Sequence, residues 1–239
     1  MRAAGKLPKG DKWKSKYQEP AVPDTTGLSG LPEGWAWVTV DRLTSFDENA
    51  ITDGPFGSNL KTSHYTASGP RVIRLQNIGD GVFIDAQTHI SQEHYESLLQ
   101  HRIKAGDIVV ASLGDSLPRA CVIPTGIGAA IVKADCIRFS PETRLALAKY
   151  LNYALNAEPT RTRTTSAVHG VGRPRLGLGG IRAITLPLPP VAEQERIVPV
   201  AERCLSLADQ MEAQADASLR RAEGLRQVLL KQAFEGKLG

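Results

Sequence analysis

Leu186-Pro-Leu-Pro-Pro190, followed by Val191-Ala-Glu-Gln-Glu-Arg-Ile-Val198, divides the chain into two kinds of sequence. To its left a run from Pro159 to Ala192 contains no Asp or Glu yet holds Arg161, Arg163, Arg173, Arg175 and Arg182. To its right the apolar positions Val200, Cys204, Leu207, Met211, Ala215, Leu219, Ala222, Leu225 and Leu229 step by three or four, the spacing of an amphipathic helix. Pro199 predicts a kink or a restart after a short helix over 191–198, because proline removes a ladder bond and crowds the preceding turn. About 35 residues at about 1.5 Å each give a main helix of ~50 Å. Its small residues Ala208, Ala215 and Ala222 permit close approach of a second helix, and burying the stripe requires either such a partner or the chain's own globular part. Cys204, Leu207, Met211, Ala215, Leu219, Ala222, Leu225 and Leu229 are the candidate helix-pairing residues.

Working back from this boundary, the acid-free run reads as a Gly- and Thr-rich basic loop suited to an anionic partner, against the competing reading of an ordinary solvated loop. Before it the pattern is one of strands. Trp35 to Val40 alternates, and in Val72 to Ile78 the side chains of Val72, Arg74 and Gln76 share one face while Ile73, Leu75 and Asn77 share the other. Asp107 to Leu113, Ala120 to Ile123, Ala129 to Val132 and Cys136 to Phe139 are short β-branched runs separated by Gly, Pro and Asp turns. One helix interrupts them, with Ser140 as N-cap, Pro141 at its first position and Leu145, Ala148, Leu151 and Leu155 on one face. The expected architecture is α+β. A mixed, largely antiparallel sheet domain over 31–190 follows a basic, Pro- and Gly-rich linker over 1–30 and precedes a helical arm over 191–239.

The 239 residues can bury a sizeable core, and the formal charge of +4 is small enough that any DNA face must arise from local clustering. Three cysteines, far apart and in no Cys-x-x-Cys arrangement, argue against a disulfide scaffold or a zinc knuckle and fit a reducing cytoplasm. No apolar run approaches membrane-spanning length, and the N-terminus lacks the apolar stretch of a signal peptide.

The segment Val191 to Val198 with its Leu-Pro-Leu-Pro-Pro lead, and the closing Leu229-Leu-Lys-Gln-Ala-Phe-Glu-Gly-Lys-Leu238, resemble the conserved region of type I restriction-modification specificity subunits. Leu31-Pro-Glu-Gly-Trp35-Ala-Trp37, Asp53-Gly-Pro-Phe-Gly-Ser-Asn-Leu-Lys61, Val72-Ile-Arg-Leu-Gln-Asn-Ile78 and Gly106-Asp-Ile-Val109 resemble, in order, a target-recognition domain of that family. Lys12-Trp-Lys-Ser-Lys-Tyr-Gln-Glu-Pro20 is similar to the connector that precedes the second recognition domain in two-domain members. The set covers roughly residues 31 to 238, and its specificity lies in the order of motifs that are individually weak.

The resemblance implies a non-catalytic subunit with one recognition domain where two are usual, reading one half of a bipartite site in double-stranded DNA. It implies pairing through the arm with itself or another half. It also implies a modification subunit that methylates adenine with S-adenosylmethionine, and a restriction subunit that uses ATP and magnesium. No cofactor is expected on this chain. A coiled-coil dimeric transcriptional regulator is the alternative, and it would bind DNA tightly with no methyltransferase present.

Base reading suits Arg, Asn and Gln, while Lys and hydroxyls mostly hold phosphates. By chemistry and placement the candidate DNA contacts are Lys61, Arg74, Gln76, Asn77, Arg119, Arg161, Arg163, His169, Arg173 and Arg175. Each has an internal salt bridge or plain exposure as its competing role. Gly54, Pro55, Phe56 and Gly57 shape and pack a turn. Catalytic signatures are missing: no Asn/Asp-Pro-Pro-aromatic segment, no Gly-x4-Gly-Lys-Ser/Thr loop, and glycine runs at 170–180 outside a strand-to-helix context. Glu235-Gly-Lys237 has no acidic partner for a metal, and His89, His94 and His101 lack ligand spacing.

Overall fold

Short, largely apolar runs become central strands in the computed structural model, which describes residues 19–114, 116–167 and 175–237. Among the described residues ten strands form: β1 (Ala36–Thr39), β2 (Ile51–Asp53), β3 (Tyr65–Ile73), β4 (His89–Ile90), β5 (Arg102–Ile103), β6 (Ile108–Ala111), β7 (Arg119–Val122), β8 (Ala130–Val132), β9 (Cys136–Phe139) and β10 (Thr185–Leu188). The helices are α1 (Val40–Leu43), α2 (Gln92–Glu96), α3 (Ala148–Asn156), α4 (Glu158–Ala167), α5 (Leu178–Ala183) and α6 (Val191–Phe234).

The strands make an antiparallel sheet in the order β2-β9-β6-β7 and a second in the order β4-β3-β8-β5, in which only β3 and β8 run parallel. A two-stranded antiparallel pair, β1 with β10, stands apart from them. The chain is thus mixed α and β, largely antiparallel, with a long C-terminal helix. All four residues of β6 and of β9 are buried, as expected for strands covered on both faces. In the second sheet Val72, Ile90 and Ile131 pack with Leu60 and Leu98, and Tyr65 and Tyr95 lean on the same cluster.

A buried polar network fastens one end of the first sheet. Arg138, on the interior strand β9, donates to Asn49 O at 2.6 Å and to Ser140 Oγ at 3.0 Å. Ser140 Oγ in turn donates to Asp107 Oδ1 at 2.6 Å, while Asp107 Oδ2 accepts from Lys104 N at 3.0 Å. Burial pushes the Asp107 carboxyl above the usual carboxylate range, and these donors and the Arg138 charge hold it partly back. Gly106-Asp-Ile-Val109 is therefore a structural motif here: its aspartate joins the 104–107 turn to β9.

Three expectations are corrected. The central helix begins at Ala148, not at Pro141, because the 140–142 backbone stays extended and bonded. Ser140 N donates to Ala50 O at 2.8 Å, Ser45 N to Ser140 O at 2.8 Å and Glu142 N to Leu43 O at 2.7 Å. With its hydroxyl on Asp107, Ser140 does not cap a helix, and Leu145 is exposed.

The expected basic loop is helical over 158–167. Pro159 sits in the first turn, where a backbone N–H has no ladder partner, and Glu158 favours the helix N-terminus. Thr160 and Thr164 are buried, with Thr164 Oγ1 returning a bond to Thr160 O at 2.8 Å that lets a hydroxyl face the interior. Finally, α6 runs unbroken through Pro199 for 44 residues, about 66 Å at about 1.5 Å per residue. One missing ladder bond does not stop a helix of that length.

The chain divides into two units between Gln194 and Glu195. In the first, Gln194 is fully buried: Nε2 donates to Leu145 O and to Pro189 O, both at 2.9 Å, and Oε1 accepts from Leu147 N at 2.8 Å. This glutamine of the Val191–Val198 motif thus ties the start of α6 to the approach to α3. The segment after residue 19 is stitched down as well, Thr39 Oγ1 donating to Ala21 O at 2.9 Å. Residues 1–18, most of the expected linker and its connector motif, lie outside the described residues. In the second unit Leu207, Met211, Leu219 and Leu225 are between 53% and 70% exposed, so the stripe that the periodicity predicts stands in solvent.

Candidate nucleic-acid interface

The two larger sheets meet at one end, and the reason lies in their registers. Ala111 pairs with both Arg119 and Cys136, so the end of β6 and the starts of β7 and β9 form one edge of the first sheet. In the second, Ile73 pairs with Val132, and Lys133 N donates to Ile73 O at 2.8 Å. Because β8 runs directly into β9 through the 133–135 turn, the two edges are contiguous. Arg74, Gln76, Arg119, Lys133 and Arg175 lie along this junction, with Arg175 bridged to Leu113 just past β6.

The Asp53–Lys61 loop closes one side. Gly54 lies so close to the 133–135 turn that a Cβ would fall 2.0 Å from the Lys133 carbonyl carbon, which requires glycine. Phe56, half exposed, packs its ring 5.7 Å beneath the Arg175 guanidinium, and Arg175 also pairs with Asp135 at 2.8 Å. A bulge in β3 supplies another wall. Thr66 and Arg71 both pair with His89, so residues 67–70 are ejected and Tyr65 sits one rung from Arg71. The Tyr65 hydroxyl accepts from Lys133 Nζ at 2.8 Å, and the Arg74 guanidinium stands 5.5 Å from the Tyr65 ring while donating to Thr88 Oγ1 at 3.2 Å. Burial raises the Cys136 thiol far above its ordinary range, and the charges of Arg119 and Arg74 pull it partly back.

The ten sequence candidates therefore separate. Arg74, Gln76, Arg119 and Arg175 share the junction, with Gln76 exposed. Lys61 is exposed at the entrance of a 3-10 turn over 62–64, its N–H donating to His64 Nδ1 at 3.3 Å. Asn77 is a correction: it is wholly buried, accepts from Arg74 N at 2.9 Å and donates to Ile84 O and Ala86 O at 2.9 and 2.8 Å, so its amide shapes the 74–86 loop and reaches no base.

Arg161 and Arg163 are corrected as well, from loop residues to helix residues held internally. Arg161 forms a two-pronged pair with Asp80 and donates to Asn156 Oδ1 at 2.9 Å and Pro118 O at 3.2 Å. This pairing, with help from Arg119, holds the Asp80 carboxyl below its usual range. Arg163 donates to Thr185 O at 3.2 Å and lies 5.5 Å from the Trp37 ring. His169 and Arg173 lie outside the described residues.

Sequence reasoning missed Tyr65 and Lys133. Each reads as an ordinary polar residue in a turn-rich stretch, and 68 positions separate them. Cys121 is wholly buried, and burial pushes its thiol up to about 12. Among the described residues no group of three or more His, Cys, Asp or Glu side chains is placed to hold a metal, and no helix is long and apolar enough to cross a membrane.

Comparison with known proteins gives the same architecture a context. Over 211 residues the chain is 29% identical to the EcoBI type I restriction enzyme specificity subunit of Escherichia coli, a match covering 87% of this chain and 43% of the relative. It is similar in sequence to type I specificity subunits. The EcoDI specificity subunit of Escherichia coli is 24% identical over 221 residues, covering 88% of this chain and 44% of the relative. The chain thus spans less than half the length of the curated relatives it matches. Its fold recurs in a chain from a structural study of complex assembly and conformational transition of the type I R-M system, with a TM-score of 0.61 at 21% identity and coverage of 89% and 48% of the two chains. The HsdS subunit from Thermoanaerobacter tengcongensis gives a TM-score of 0.50 at 20% identity, covering 89% and 47%. No family model matches.

Proposed function

We propose that this chain is a DNA-recognition subunit of a type I restriction-modification system, its sheet domain reading one half-site. The observation that carries the reading is the convergence of Arg74, Gln76, Arg119, Lys133 and Arg175 on one sheet junction, in a chain whose homologues are specificity subunits. Exposed Gln76 and half-buried Arg119 have the donor and acceptor groups that suit base edges, and the cations suit the phosphates on either side. In this reading the chain carries no chemistry of its own. A modification subunit bearing S-adenosylmethionine methylates adenine at the selected site, and a restriction subunit with ATP and magnesium translocates and cuts.

The arm completes the proposal. Its exposed stripe of Leu207, Met211, Leu219 and Leu225 pairs with a second helix, from another copy or another half subunit, giving a bipartite target. A two-fold pair would impose inverted half-sites on one face of the duplex. Mapping methylated adenines in cells that carry this chain with its cognate modification subunit tests the proposal. One bipartite motif, lost when the chain is deleted, supports it. An unchanged methylome, with tight duplex binding by the chain alone, would instead favour a dimeric regulator.

A further inference from the structure

The cations at the sheet junction are not equivalent. Arg71 pairs with Asp85 at 2.6 Å, Arg175 with Asp135 at 2.8 Å, and Arg161 with Asp80. Arg74 and Lys133 have no carboxylate within 4.0 Å among the described residues. Yet both are half-buried and both stand over one aromatic ring, Lys133 Nζ at 5.3 Å and the Arg74 guanidinium at 5.5 Å from the Tyr65 centroid. Two like charges around one ring at partly desolvated positions repel, and attraction to the ring face offsets only part of that cost. The Tyr65 hydroxyl accepts from Lys133 Nζ, which leaves its own O–H to donate. An ammonium, a guanidinium and a phenol O–H thus lie around one aromatic ring with no carboxylate paired to either cation among the described residues, and the ring is set by the ejected bulge of β3 and by its packing on the core.

We propose that Tyr65, Arg74 and Lys133 form a binding site for a single backbone phosphate of the DNA, one that fixes register and carries no sequence information. The assignment rests on the DNA-recognition reading above. A phosphate offers the several acceptor oxygens that three convergent donors require, and it neutralises the charge pair. Exposed Gln76, two positions beyond Arg74, is then held next to a fixed point of the duplex.

The test is duplex binding by the full chain, alone and with its modification subunit, at 50 to 200 mM salt. Changing Lys133 and Arg74 together to Gln should flatten the log-log salt dependence by about 0.9, so that affinity falls about 3.5-fold less across that range than in the wild type, and either change alone should flatten it by less. The loss should be equal on target and unrelated duplexes, leaving their ratio unchanged. Arg182→Gln, which breaks an ion pair with Asp41, should leave the slope as it was.

Duplexes carrying one neutral methylphosphonate at successive positions supply a second readout. One position should weaken the wild type and have little further effect on the Lys133→Gln, Arg74→Gln double variant. Tyr65→Phe, which removes a single oxygen, should lessen the effect of that same position and serves if the double variant does not fold. Wild-type binding with unchanged slopes in the variants, with a lost target preference, or with no coupled phosphate, overturns the phosphate site and leaves DNA recognition standing. Absence of duplex binding by the wild type in either form overturns both.

Discussion

Replacing Gln194 by Leu isolates the contribution of one side chain that joins the start of α6 to the domain. The volume changes little, but three bonds are lost together: to Leu145 O, to Pro189 O and from Leu147 N, at 2.8 to 2.9 Å and with the side chain fully buried. A net bond contributes about 1 kcal/mol, and a buried group left without its partner costs about 1 to 3 kcal/mol. The carbonyls hold a second lone pair and the three losses share one site, so the sum falls near the low end, about 3 kcal/mol. With a urea slope of about 3 kcal/mol/M for a domain of this size, the unfolding midpoint drops by about 1 M. Far-ultraviolet circular dichroism against urea reads this directly. A shift under about 0.3 M, equivalent to about 1 kcal/mol, would show that water or a rearranged loop satisfies these groups, and that the glutamine is not the tie described here. Gln194→Glu should be at least as harmful at neutral pH, where a carboxylate faces two carbonyls. Its deficit should shrink as the pH falls, because burial raises that carboxyl's pKa and the protonated form regains one donor.

The Asp80–Arg161 pair should show itself in acid. The folded Asp80 carboxyl titrates below its unfolded value of 3.8, so its stabilisation is complete above that pH and is lost as the pH falls through the folded value. Asp80→Asn should therefore cost about 1 kcal/mol or less at neutral pH and flatten the acid limb of a stability profile. An acid limb as steep as the wild type's would rule the pair out as a contributor. In the arm, Leu219→Asp with Leu225→Asp should abolish self-association or pairing with another half while the sheet domain keeps its urea midpoint; light scattering with gel filtration decides, and a wild-type chain that stays monomeric with and without the modification subunit counts against pairing. The isolated chain should transfer no methyl group from labelled S-adenosylmethionine to DNA, and any transfer by it would defeat the non-catalytic reading. Neutralising Arg161 and Arg163 should lower the unfolding midpoint more than it changes the salt dependence of DNA binding, since their guanidiniums are held within the domain.

What could be read from residue order alone is what short-range periodicity encodes. The runs at Ile108–Ala111, Cys136–Phe139 and Ala130–Val132 are strands because each is a short, largely apolar stretch between turn residues, and the stripe from Cys204 to Leu229 is helical because its spacing permits little else. The choice of binding residues did not follow from such patterns. A bare run of arginines looks available until a carboxylate from another part of the chain is seen beside it, as Asp80 is for Arg161, 81 positions away. Thr-rich 158–167 carries no apolar stripe to announce a helix, and only its buried Thr160 and Thr164 reveal one. Asn77 and Ser140 had the chemistry expected of a base reader and a helix cap, but the folded chain surrounds them with internal partners that no local window contains. Tyr65 and Lys133 meet only because a bulge ejects residues 67–70 and two sheets join at the 133–135 turn. The tertiary structure alone assigns these roles, because hydrogen bonding and charge compensation depend on distance in space, whereas a sequence records only distance along the chain.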